Sequence, residues 1–217
     1  MQILPLLHRY YLQEVRNKSV LFSLLLYLTG VTYLIYQLTD GAQPQDQMWA
    51  ALLWTSVFFG TLQLVSRSFN YEQEHYYFYM ATLVRPQQVI LAKLLFNALY
   101  MLLLNGAALL LFLLFFEQEI ASFGLFLLTI ALGSFGFAGV LTFTHAIASR
   151  TKGNAALGTV LSIPLLLPML KMVATLSVYT IVGVEWVDLA PILGSLSALL
   201  AAIALLAYLL FPYLWQD

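Results

Sequence analysis

The chain has 217 residues, of which 62% are hydrophobic and only 9% charged, with a formal net charge of −1. Soluble domains are roughly 45–50% apolar and about 25% charged, so this chain has too little polar surface to face water on all sides. Its basic residues never form a block, which argues against nucleic-acid binding, and the absence of cysteine excludes a disulfide framework, an iron–sulfur cluster and a thiolate zinc site.

In chain order, Met1–Lys18 places Leu4, Leu7, His8, Tyr11 and Val15 on one helical face and Arg9, Gln13 and Arg16 on the other, which predicts an amphipathic helix along the inner leaflet. A hydrocarbon core about 30 Å thick takes roughly 20 apolar residues at 1.5 Å rise each. Runs of that kind predict an all-α fold with six transmembrane helices in one permease domain over residues 1–217. The spans are Ser19–Leu38, Met48–Ser66, Val89–Phe116, Phe123–Ala148, Ala155–Val182 and Leu189–Phe211. The first has too long an apolar run for a cleavable signal peptide, so it is expected to stay in the mature protein. The third is longer than a crossing requires and is expected to tilt, or to begin with a turn near Lys93.

Orientation follows from the basic residues, which cytoplasmic segments retain. Arg9, Arg16 and Lys18 precede the first span; Arg67, Arg85 and Lys93 lie around the loop after the second; Arg150 and Lys152 follow the fourth. The other three loops carry acids instead: Asp40 and Asp46, Glu117 and Glu119, Glu185 and Asp188. Both termini are therefore expected in the cytoplasm. The largest polar segment, Arg67–Gln88, combines Arg67, Glu72, Glu74, His75 and Arg85 with Tyr71, Tyr76, Tyr77, Phe78 and Tyr79, which fits either a headgroup anchor or a groove on a partner protein. The second cytoplasmic loop is a short basic turn, with Gly153 able to end a helix.

Within the spans, Lys93, Asn97, Met101 and Asn105 recur every fourth residue and draw one stripe, read either as a substrate path or, preferably, as interhelical hydrogen bonding. Gly133, Gly136 and Gly139 form a small-residue ridge for close helix packing. His145 stands without a second histidine at ligand spacing, so no metal site is assigned. Pro164 and Pro168 each remove a backbone donor and predict a fifth helix bent or partly unwound near mid-membrane. Lys171, just beyond them, must snorkel, pair or face a cavity. No acidic residue lies inside a span, which argues against a proton- or sodium-coupled carrier. No G-x-x-x-x-G-K-[ST] sequence occurs, so energy must come from another subunit or a gradient.

The stretch Arg67-Ser-Phe-Asn-Tyr-Glu72-Gln-Glu74, with Arg85-Pro86 and Lys93 after it, resembles the R-x-F-x-x-E-x-E, Pro, Lys pattern of the cytochrome c maturation protein B family. Ala148-Ser-Arg150-Thr-Lys-Gly153 leading into Pro164 and Pro168 is a second match, and the likeness runs essentially end to end. Where many members follow the acidic pair with Gly and Leu-Glu, this chain has His75-Tyr-Tyr-Phe-Tyr.

The resemblance implies a type-2 ABC exporter permease in the bacterial inner membrane, with a separate ATPase subunit that binds the ATP. It further implies maturation proteins C, D and E as partners, and haem as the candidate substrate. On this reading the permease is not itself an enzyme, no cofactor is assigned to it, and it couples ATP hydrolysis to haem delivery or to release of the haem chaperone. Arg67, Glu72, Glu74, Arg85, Arg150 and Lys152 are the expected contacts to the ATPase, and Lys93, Asn97, Asn105, His145, Pro164, Pro168 and Lys171 the intramembrane polar or hinge positions. The alternatives are an independent carrier or channel using the Lys93, Asn97, Asn105 face and Lys171, or a structural scaffold of the maturation complex.

Overall fold

The structure is a computed structural model that describes residue 10 and residues 18–70, 86–148 and 155–215, with side chains described at 10, 22–62, 88–148 and 157–209. The N-terminal amphipathic helix, Tyr10 apart, lies outside the described residues, as do Glu72, Glu74, Arg85, Arg150 and Lys152. The described residues fold into six helices: α1 (Lys18–Leu38), α2 (Asp46–Asn70), α3 (Pro86–Phe115), α4 (Phe123–Ala148), α5 (Ala155–Val182) and α6 (Trp186–Trp215). Within them Gln88–Phe115, Phe123–Ala148, Leu157–Val182 and Trp186–Leu209 are long and apolar enough to cross a membrane, and Phe22–Leu38 is a shorter apolar helix.

The helix ends follow from local chemistry. Pro86 opens α3, where its missing N–H is one the helix leaves unbonded anyway and its fixed φ already suits the helix. No turn interrupts α3 near Lys93, which lies inside the helix and is buried. At the end of α1, Asp40 takes φ 52° and the N–H of Gly41 reaches back to the Tyr36 carbonyl at 2.9 Å. This is a Schellman ending with Asp in the left-handed position, a conformation that short polar side chains tolerate. Gly183 closes α5 in the same way, with φ 78° and Val184 N–H donating to the Tyr179 carbonyl at 3.0 Å.

Helix α4 is the hub. It packs against α3, α5, α6 and α2, and is the most buried of the four long apolar helices, whereas α6 is the least. Between membrane helices the lipid is as apolar as the side chains, so close fit and hydrogen bonds hold the bundle more than hydrophobic burial does. The glycine ridge supplies the fit. A Cβ at Gly133 would meet the Trp54 ring of α2; one at Gly136 would meet Met169 of α5 and Leu200 of α6; one at Gly139 would touch Ile203 of α6 at 3.4 Å. The ridge therefore seats three helices.

Of the two expected forms of α5, bent or partly unwound, the unwound one is excluded: it is one continuous helix through Pro164 and Pro168. Both prolines lie on its exposed side, so the lost hydrogen bonds fall away from the core. The opposite face, with Leu166, Met169, Val173 and Leu176, packs without interruption.

On the side where the acidic loops gather, Gln118 Nε2 donates to Asp46 Oδ1 at 3.0 Å and Gln43 Nε2 donates to Gln118 Oε1 at 3.1 Å. These bonds tie the α1–α2 turn to the α3–α4 turn. The backbone N–H groups of Ala121 and Ser122 donate to the carbonyls of Ile181 and Thr180, which fastens the start of α4 to the end of α5.

Candidate functional site

Two polar seams cross the bundle. Along the first, Asn97 Nδ2 of α3 donates to Thr142 Oγ1 of α4 at 2.9 Å, and Asn105 Nδ2 donates to Ser134 Oγ at 2.7 Å. Asn97, Asn105, Thr142 and Ser134 are all buried, and Met101 between the two amides is fully enclosed. The sequence stripe on α3 thus makes two interhelical hydrogen bonds to α4, at Asn97 and at Asn105. Ser134 gives its own proton to the Ile130 carbonyl at 2.7 Å, so it can accept from Asn105 and donate at once. Asn105 Oδ1 is buried without a hydrogen-bond partner.

At the end of this seam stand Lys93 and His145, 4% and 1% exposed, near enough to interact electrostatically. His145 Nδ1 lies 3.0 Å from the Leu141 carbonyl, and its ring packs against Gly158 of α5, where a Cβ would come within 2.9 Å of it. Only a residue without a side chain lets α5 pass the imidazole so closely. No group of three or more His, Cys, Asp or Glu residues suited to a metal occurs among the described residues. Tyr10 stacks obliquely on Phe96 nearby, ring centroids 5.8 Å apart, and so places one point of the N-terminal segment against α3.

The second seam joins α2 to α5. Trp54 Nε1 donates to Ser177 Oγ at 2.8 Å, and Ser177 donates onward to the Val173 carbonyl at 2.8 Å. The same indole sits over Gly133 and meets Phe137 edge-on, centroids 5.8 Å apart. Trp54 has no exposed surface and touches α4 and α5 at once. It joins α2 to α5 by a buried side-chain hydrogen bond. Sequence reading missed it, although a tryptophan in an apolar run needs an acceptor for its N–H, and Ser177 is a hydroxyl in the core of α5.

The remaining sites named from sequence do not gather in one place. Pro164, Pro168 and Lys171 are exposed on the outer face of α5, away from Lys93, Asn97 and Asn105. Arg67 lies near the end of α2, where side chains are not described. An apolar groove of about 310 Å³ opens between α3, α4 and α6 beside Gly136 and Gly139, lined by Leu94, Leu132, Phe135 and Leu200 among others.

The CcmB protein family matches residues 1–213, and the chain belongs to that family. No curated protein and no solved structure matches it. The family is that of the ABC transporter permease of cytochrome c biogenesis and haem export, a multi-pass inner-membrane protein that works with an ABC ATPase.

Proposed function

We propose that this chain is a six-span, type-2 exporter-like permease with both termini in the cytoplasm, and that it turns ATP hydrolysis on a separate subunit into haem delivery or release of the haem-loaded chaperone. The loop Arg67–Gln88 docks on the ATPase, with Glu72 and Glu74 at its centre, Arg67 and Arg85 at its ends, and Arg150 and Lys152 of the second loop assisting. Maturation proteins C, D and E complete the assembly, and haem is the substrate. The permease hydrolyses nothing itself.

The observation that carries this reading is Trp54. The loop hangs from the end of α2, and α2 is bonded through Trp54 to Ser177 in the core of α5. A push on the loop is thereby passed to α5 while Gly133 of α4 serves as the bearing surface. Coupling through packed side chains and hydrogen bonds requires contiguous contact of this kind.

The test is the intact complex carrying Glu72→Ala and Glu74→Ala. Membrane insertion and co-purification of the ATPase are retained, while ATP hydrolysis no longer yields mature cytochrome c. Unchanged maturation would remove the loop from the coupling role.

A further inference from the structure

The exposed faces of the other helices are mostly apolar. Leu26 and Leu34 on α1, Leu103 and Leu114 on α3, and Leu205 and Leu209 on α6 are fit for contact with lipid tails. The exposed hydroxyls of Thr29 and Ser195 donate to their own helix, at the carbonyls of Leu25 and Ile192. The outer face of α5 is different. Leu157, Leu161, Pro164, Pro168 and Lys171 follow one another at intervals of three and four residues, so they form a single stripe, and all are exposed.

Lys171 stands roughly 16 Å of helix axis from Val182 and roughly 21 Å from Leu157, at 1.5 Å rise per residue. It is therefore close to the middle of the span, farther from either end than a four-carbon stem reaches. No hydrogen bond or ion pair to its ammonium is made by the described residues. The prolines add to the polarity of this stripe, because without their N–H groups the carbonyls of Val160 and Pro164 have no helical donor. A face with a cation and two freed carbonyls at mid-membrane is poorly matched to hydrocarbon.

We infer that this stripe is the docking face for a transmembrane helix of a different protein, one that carries a carboxylate at mid-membrane depth opposite Lys171. Charge complementarity selects the occupant. A second copy of this chain is a poor source of the acid, because among the described residues its Asp and Glu lie in turns or at helix ends, as Asp46 and Asp188 do at the starts of α2 and α6. The prolines serve the same purpose on the receiving side: hydroxyl or amide donors on the partner helix satisfy the two carbonyls, and the acid satisfies the ammonium. The inference is independent of the coupling loop, since it concerns a membrane partner and not the ATPase.

The test places a photo-reactive benzophenone side chain at Leu167, and separately at Val160, in the complete complex in native membranes, with Leu205 of α6 as the control position. All three are well exposed, so the substitution is accommodated without repacking the core. The expected result is an adduct at Leu167 and Val160 with a membrane protein other than this chain, identified by mass spectrometry, and none at Leu205. That adduct is retained with Lys171→Arg and lost with Lys171→Glu, which sets two acids against each other. Adducts to lipid alone, or only to a second copy of this chain, overturn the inference. So does an adduct that survives Lys171→Glu, because the pairing of charges would then not be what holds the partner.

Discussion

The seam between α3 and α4 and the outer face of α5 carry polar residues at the same helical periodicity, and the bundle treats them in opposite ways. Asn97 and Asn105 are buried and find hydroxyl acceptors on α4. Pro164, Pro168 and Lys171 face outward and find nothing within the described chain. A polar group in a span signals that something must meet it, but not whether that partner belongs to the same chain. On α3 the partner is Thr142 or Ser134; on α5 it has to be supplied from outside.

The comparison breaks most severely if close packing does not set which faces turn inward. Gly136→Ile drives a branched side chain into Met169 and Leu200, and should cost about 2–3 kcal/mol by overpacking. Thermal unfolding of the purified chain in detergent measures this; a variant as stable as the parent would mean that α5 and α6 do not rest on the ridge. A smaller effect sharpens the contrast between the two faces. Asn105→Leu removes one interhelical bond at a cost of about 0.6 kcal/mol, the average for such bonds in membranes. The loss stays small because Ser134 keeps its bond to the Ile130 carbonyl and because the unpartnered Asn105 oxygen is removed as well. Lys171→Met in the same isolated chain should leave stability unchanged or raise it, since it takes an unpartnered cation out of the apolar belt. If Lys171→Met were the more damaging of the two, Lys171 would be making an internal contact and the two faces would not differ.

Much of this architecture is legible in the sequence, for reasons that the contacts make plain. Apolar runs of span length give the helices, and Pro86 and the acidic loops give their ends. Gly133, Gly136 and Gly139 announce a close approach because their spacing leaves one strip of the helix without side chains. The amide stripe on α3 is visible too, and so are its partners in retrospect: Thr142 and Ser134 have the same spacing as Asn97 and Asn105 in the reverse order, as antiparallel helices require. What composition could not give is direction. In a soluble helix the polar face is the outer one, but in a span both faces are apolar, so nothing in the pattern of α5 tells that Lys171 points out while Lys93 points in. The continuity of α5 was hidden for the same reason, because the effect of a proline depends on whether its lost bond falls toward the core. Trp54 escaped notice because its acceptor, Ser177, lies far along the chain on another helix.

The proposed coupling passes motion from α2 to α5 through Trp54, and the most direct measurement is the number of ATP molecules hydrolysed per cytochrome c matured by the reconstituted complex. Ser177→Ala removes the acceptor and leaves the buried Trp54 N–H unbonded, at a cost of about 1–3 kcal/mol, while Trp54→Phe removes the N–H together with the far edge of the indole that rests on Gly133, and so leaves a cavity as well. Each is predicted to raise the ATP-to-cytochrome ratio severalfold at unchanged assembly, and the double variant to raise it no further than Trp54→Phe alone, since the bond is already lost there. A ratio equal to that of the parent in both single variants, or fully additive effects in the double, would contradict transmission through this pair.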